Sequence, residues 1–310
     1  MKKLTIIPLL AACLLSSNLM AKEITVGAPM PAFADKWLTY LYDAIRQYDN
    51  EHDDIVFKLT DANNDPSRML NDVENFIDQK VDVLLVIPTD PQIVKIIGEK
   101  AKKAGIPLVI ANRGPAAKDM KYIKSYVGSD NFIAGEMQAN FVAQQLAGKD
   151  ANAVILLGEL GHDSQIKRTE GNLKTLEKYP NIKIIAQQTA NYDRAKALDV
   201  ATNLLSAYKN LNVVISNNDE MAIGTILAAE KLGIKQDDLL IIGIDATPDA
   251  LKYVGNGLDA TIFQSAKGQG RGAAEVAHKI AKGEEVEKNI WIPFELVTPN
   301  NKAEYEAKYK

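Results

Sequence analysis

Two adjacent asparagines, Asn217 and Asn218, stand where a side chain can meet a ligand. The apolar run Val213-Val214-Ile215 before them reads as a buried strand, and Met221-Ala222-Ile223 after them as the start of a helix. Asp219 reads as the N-cap of that helix. In open α/β sheets, ligands lie outside the carboxyl ends of the strands. An asparagine there offers two donors and an acceptor. Neighbouring hydroxyls on a neutral ligand need that mixture, and Asn218 is the better placed of the two.

The same position recurs along the chain. After the apolar run at 24–29 come Asp35 and Trp37, and after 108–111 come Asn112 and Arg113. After 153–157 comes GELGHDSQIKR at 158–168, which carries His162 and Arg168. Tyr192 follows 183–186, Asp245 follows 239–244 and Gln264 follows 261–263. Planar polar groups pair bidentately with adjacent hydroxyls, and charge strengthens each bond. Flat aromatic rings cover the C–H faces of a sugar ring. Taken singly, each residue has an ordinary explanation: a strand-end Asp caps a helix, a lone Trp is core, a lone Arg makes a surface ion pair. Together they suit a neutral, hydroxyl-rich ring better than a phosphate or an apolar molecule.

The elements that must hold these residues alternate. Apolar runs at 24–29, 55–59, 83–87, 108–111 and 123–127 read as strands, separated by helical patterns at 36–48, 66–79 and 91–104. The rhythm restarts near 126, with strands at 153–157, 183–186, 213–215, 239–244 and 261–263. Helices at 132–146, 163–178, 193–208, 221–232 and 248–254 fall between them, and a helix at 270–282 and a strand at 289–293 end the series. Such alternation means right-handed βαβ units and parallel sheets. The fold class is α/β: two doubly wound parallel-sheet lobes joined by a multi-strand hinge. The expected division is 22–125 plus 265–293 for the N-terminal lobe and 126–264 plus 294–310 for the C-terminal lobe.

At 310 residues, 46% hydrophobic and 25% charged, the chain has ordinary globular composition. A net charge of -4 without a basic block argues against a nucleic-acid partner. Residues 1–21 read as a secretory signal peptide: Lys2 and Lys3, a short apolar core, and a cut after Ala21. The leader implies export, with the periplasm the expected location. The one cysteine, Cys13, lies inside the leader, so the processed chain has no disulfide, thiol nucleophile or cysteine metal site. A lipid on Cys13, through the Leu10-Ala11-Ala12-Cys13 box, is the minor alternative.

With these residues in hand, the chain resembles periplasmic sugar-binding proteins of the ribose/galactose type, the type I binding proteins that serve ABC importers. The resemblance spans about 23–298. It rests on PTD at 88–90, Asn112-Arg113, Asn191-Tyr192-Asp193-Arg194, NDEMAIG at 218–224, GIDATPDA at 243–250 and DATIFQ at 259–264. It implies that Asp35 accepts from sugar hydroxyls and that Trp37 and Tyr192 cover the two ring faces. It also implies that Asn112, Arg168, Asn218, Asp245 and Gln264 make polar contacts. His162 matches the galactose branch and Arg113 the ribose branch. Ser164 replaces an Asp of the galactose branch, and Pro31 and Ala34 match neither. An aldohexose and a cyclic polyol such as myo-inositol therefore both stay open. The segment 148–153 is too short for the calcium loop of the galactose branch, so no metal is expected, and no cofactor.

The resemblance further implies lobe closure on the ligand, a membrane permease as partner, a chemoreceptor as an alternative partner, and a monomer. Rival readings are weaker. Gly268-x-Gly270-x-x-Ala273 fits a dinucleotide loop, but no βαβ unit follows it. The histidines His52, His162 and His278 make no metal spacing, and no G-x-S-x-G elbow is present. A repressor would need a DNA-binding headpiece where the leader stands. A furanose signal remains a further candidate ligand.

Overall fold

The computed structural model describes residues 23–309. The leader at 1–21, with Cys13, lies outside the described residues. One sheet holds β1 (Ile24–Met30), β2 (Ile55–Asp61), β3 (Val83–Val86), β4 (Leu108–Ala111) and β5 (Ser125–Gly128). The other holds β6 (Ala151–Leu157), β7 (Ile182–Thr189), β8 (Val213–Ser216), β9 (Leu240–Asp245) and β10 (Ala260–Gln264). Each sheet gains a sixth strand from the end of the chain, β11 (Asn289–Trp291) beside β5 and β12 (Phe294–Val297) beside β10. The orders are β11-β5-β4-β3-β1-β2 and β12-β10-β9-β8-β6-β7. All pairings are parallel except that of β12, which is antiparallel to β10.

The helices are α1 (Lys36–Asn50), α2 (Pro66–Asp78), α3 (Val94–Ala104), α4 (Asn131–Leu146), α5 (Asp163–Leu176) and α6 (Arg194–Ala207), then α7 (Asp219–Leu232), α8 (Pro248–Tyr253), α9 (Ala266–Ala281) and α10 (Lys302–Ala307). They cover both faces of each sheet, so the strands are apolar on both sides. Val83 and Leu85 pack with Leu41 and Ile45 of α1, whereas Leu84 and Val86 pack with Val73 of α2 and Ile97 of α3. In the second sheet Val154 and Leu156 face α6 and α7, while Ala153 and Ile155 face α4. The two-residue period of a strand divides one apolar run between two cores.

The chain crosses between sheets three times: after β5, after β10 and between β11 and β12. Tyr126 and Val127 pair with β4 and β11, so the first crossing falls after Gly128 rather than at the restart near 126. In each sheet the order reverses beside its first strand, at β1 and at β6. Crevices at such reversals, outside the carboxyl ends, are where open α/β sheets hold ligands.

Helix α9 starts four residues before the expected 270. Ser265 caps it by accepting from Gly268 N at 3.0 Å, which places the Gly268-x-Gly270 motif inside the helix rather than in a phosphate loop. Glycine is a poor helix former, but a Cβ on Gly270 would lie 2.3 Å from the Leu41 carbonyl oxygen of α1. The close crossing of α1 and α9 overrides propensity. Gly270→Ala is therefore expected to lower the thermal midpoint, because overpacking costs about 1–3 kcal/mol against a propensity gain of about 1. A raised midpoint in calorimetry would show that the crossing relaxes.

Candidate functional site

The ten residues singled out from strand ends line one cavity between the sheets. They are Asp35, Trp37, Asn112, Arg113, His162, Arg168, Tyr192, Asn218, Asp245 and Gln264, joined by Leu38, Asn131 and Ser164. Asp35 caps α1, and its Oδ1 accepts from Leu38 N at 3.0 Å. That bond holds Trp37, the second residue of the helix, at the cavity wall. The Trp37 indole donates across the cleft to the Gln264 carbonyl at 3.2 Å. Asn112 sits just past β4 with a left-handed φ of 58°. Its Nδ2 donates to Gln269 Oε1 at 2.9 Å, which leaves Oδ1 as a free acceptor toward the cavity. Arg113 donates to the Pro88 and Thr89 carbonyls at 3.3 and 3.2 Å.

From the second sheet comes Arg168, on α5 and almost wholly buried. Its guanidinium donates to Asn131 Oδ1 at 3.0 Å, the Asn217 carbonyl at 2.6 Å and Gln264 Oε1 at 2.9 Å. Tyr192 bonds Ser164 Oγ through its hydroxyl at 2.8 Å, and its ring stacks near His162. His162 is held below its ordinary pKa, first by burial and then by Arg113. It is thus a neutral side chain at pH 7.

The paired asparagines divide their work. Asn218 caps α7, accepting from Met221 N at 3.0 Å, and lines the cavity. Asn217 is fully buried behind it, where its Oδ1 accepts from Gly158 N at 3.2 Å. Asp219 is not the cap that the sequence suggests. Its carboxylate turns inward and takes bonds from Thr261 and Ala246. A residue with β-region dihedrals must precede the first helical turn, and Asn218, not Asp219, has them.

Asp245 ends β9 with only 4% of its surface exposed, and its carboxylate takes no hydrogen bond from the described residues. Burial pushes its pKa well above the usual carboxylate range; Arg168 opposes that push, and Asp219 and Asp35 add to it. The cavity therefore presents acceptors on Asp35, Asn112 and Asp245, and donors on Gln264 Nε2 and the guanidinium groups, that are unused among the described residues. Both sheets supply them. At the rim, Lys36 of α1 pairs with Asp249 and lies 3.8 Å from Glu220, and Arg194 holds Glu220 bidentately at 2.8 and 2.9 Å. The Lys36 contacts tie the lobes together at the rim, and the Arg194–Glu220 pair, within the second lobe, holds Glu220 in place for them.

Three polar contributors were not drawn from the sequence as site residues. Asn131 comes three residues after β5, at the start of α4, so extending the strand-end search past Gly128 to the helix start finds it. Gln269 lies on α9 and has no such signal. Ser164 shows only as a departure from the galactose branch, and here it fixes the Tyr192 hydroxyl.

Residues 26–285 match the periplasmic binding protein domain. The chain belongs to this family. A Rhizobium meliloti protein provisionally named for rhizopine binding is 39% identical, over 99% of this chain and all of that one. The ribose import binding protein of Bacillus subtilis is 33% identical, over 89% of this chain and 88% of its own. Among solved structures, an ABC transporter solute-binding protein from Bacillus halodurans with bound myo-inositol superposes with a TM-score of 0.89. It is 41% identical and covers 93% of this chain and 99% of its own. This binding protein is not an enzyme. Among the described residues no helix is long and apolar enough to cross a membrane.

Proposed function

We propose that this is an exported solute-binding protein that captures a cyclic polyol, with myo-inositol the first candidate, and delivers it to an ABC-type importer. The observation that carries the reading is the cavity itself. Acceptors and donors unused among the described residues converge from both lobes, and the rings of Trp37 and Tyr192, one from each lobe, line the cavity. A hydroxyl both donates and accepts, so a ring bearing several hydroxyls uses the whole set. Such a ligand touches both lobes and thereby favours the closed state over an open one. The Bacillus halodurans structure, 41% identical, and a Caulobacter myo-inositol binding protein, 25% identical, both hold myo-inositol, which favours the cyclitol over an aldohexose. The permease would dock on the lobe faces flanking the cleft.

A thermal-shift panel of myo-inositol, galactose, glucose, ribose and furanoses on Lys22–Lys310 tests this. Ligand that binds the native state alone raises the midpoint by mass action. The largest shift is expected with myo-inositol. A larger shift with a furanose or aldohexose replaces the ligand, and no shift with any of them removes the polyol reading. Trp37→Ala is expected to weaken myo-inositol binding by about tenfold or more, losing ring coverage and the bond to Gln264. It should also abolish any ligand-induced fluorescence change. A change that persists in full belongs to the exposed Trp291, and the stacking role of Trp37 then fails.

A further inference from the structure

We propose that Asp219 is a positioning residue of the binding site, which aims the Asp245 carboxylate by clamping the turn that carries it. The inference rests on the reading of the cleft as a polyol site. Asp219 does not line the cavity and is wholly buried. It occupies the first position of α7, a place that needs no acidic side chain once Asn218 has capped the helix. Its two oxygens instead reach across to the neighbouring strands. Oδ1 accepts from Thr261 Oγ1 at 2.7 Å, and Oδ2 accepts from Ala246 N at 2.7 Å and Thr261 Oγ1 at 2.9 Å.

The turn that receives this bond is strained. Asp245 has φ 133° and Ala246 φ 52°, both in the left-handed half of the map and neither a glycine. Such residues cost about 1–3 kcal/mol each and persist only where their surroundings hold them. The Ala246 N–H is the handle by which the turn is held. The Ala246 N–H can only donate, so the clamp needs an acceptor oxygen there, and the Thr261 hydroxyl, which donates or accepts, ties the side chain to β10. The strands make room for it. Gly243 stands opposite Thr261 in the β9–β10 register, and a Cβ there would lie 1.9 Å from Asp219 Oδ1. Burying a carboxylate is costly; the bonds from Thr261 and Ala246 offset part of that cost, Glu220 adds like charge nearby and Arg168 opposes it. The arrangement places a buried acid behind the binding acid at the expense of stability, and what it gains is the fixed direction of Asp245.

A double-mutant cycle read by calorimetry with myo-inositol separates this from a merely structural role. Asp219→Ala should weaken binding by about tenfold. In an Asp245→Asn background the same change should cost no more than about twofold, because the residue acts through Asp245. Thr261→Ser should keep near-native affinity and Thr261→Val should lose it in parallel with Asp219→Ala. Losses that add in full in the double variant overturn the proposal. Should Asp219→Ala fail to fold, Asp219→Leu takes its place in the cycle. If the wild-type chain does not bind myo-inositol, only the ligand assignment fails. The clamp is then decided by a crystal structure of ligand-free Asp219→Leu, which removes both acceptor oxygens at similar volume. Departure of Asp245 and Ala246 from their left-handed φ values supports it, and an unchanged turn overturns it.

Discussion

Asp245→Asn is expected to weaken myo-inositol binding by at least about tenfold while raising the thermal midpoint of the ligand-free protein at pH 8. The two effects have opposite signs for one reason. The carboxylate is buried at the end of β9 and takes no hydrogen bond from the described residues. In the empty cleft its charge is a cost; against ligand hydroxyls it is the strongest acceptor present. Folding raises its pKa, first through burial. In the unfolded chain an aspartate ionises near pH 4, as about 3.9 is its ordinary value. Above that pH the native state holds a proton that the unfolded state has released, so native stability falls as pH rises toward the folded value. Asp219, pushed up to about 7 mainly by burial, adds the same slope between the ordinary carboxylate range and neutrality. The ligand-free wild type should therefore melt at a lower temperature at pH 8 than at pH 5, with a shallower fall in Asp245→Asn. Affinity should run the other way and strengthen as Asp245 ionises. A calorimetric series across this range checks both. A flat wild-type profile, or a midpoint lower in the variant at pH 8, would mean that the cleft solvates Asp245 fully.

The sequence carried the site better than it carried the frame around it. A strand that ends in a polar side chain leaves that side chain at the carboxyl edge whatever the details of the loop, which is why Asp35, Asn112, Tyr192, Asn218, Asp245 and Gln264 all reach one cavity. The alternation of apolar runs and helical patterns likewise shows two restarted α/β series, because sheets covered on both faces need continuous apolar strands. What escaped depends on contacts between elements distant in sequence. The early start of α9 at Ala266 is set by its crossing with α1 at Leu41 and is invisible to local propensity. Strand β12, at Phe294–Val297, has only one buried residue, so its run lacks the apolar signature of a covered strand. The inward turn of Asp219 is decided by Thr261 and Ala246, the first of them 42 residues away, whereas local pattern alone makes it a helix cap.

Arg168→Met should cost more than any other single change in the cleft, about 3 kcal/mol or more of stability together with the loss of measurable binding. Its three bonds, at 2.6–3.0 Å, tie α5 to the first residue of α4, to the end of β8 and to the end of β10. Methionine fills the volume but leaves Asn131 Oδ1, the Asn217 carbonyl and Gln264 Oε1 without their donor. Lysine would keep the charge without the planar fork that serves three acceptors at once. The guanidinium is also the cation that opposes the burial of Asp245. Removing it alone leaves that carboxylate uncompensated, so part of the loss belongs to Asp245 rather than to the missing bonds. The Arg168→Met/Asp245→Asn double variant is accordingly expected to recover a measurable share of the midpoint lost in Arg168→Met. Non-additivity is the mark of two groups that share one electrostatic balance. A double variant at the level of Arg168→Met, or below it, assigns the whole loss to the bonds that join α5 to the strand ends. The charge pairing would then serve the ligand alone.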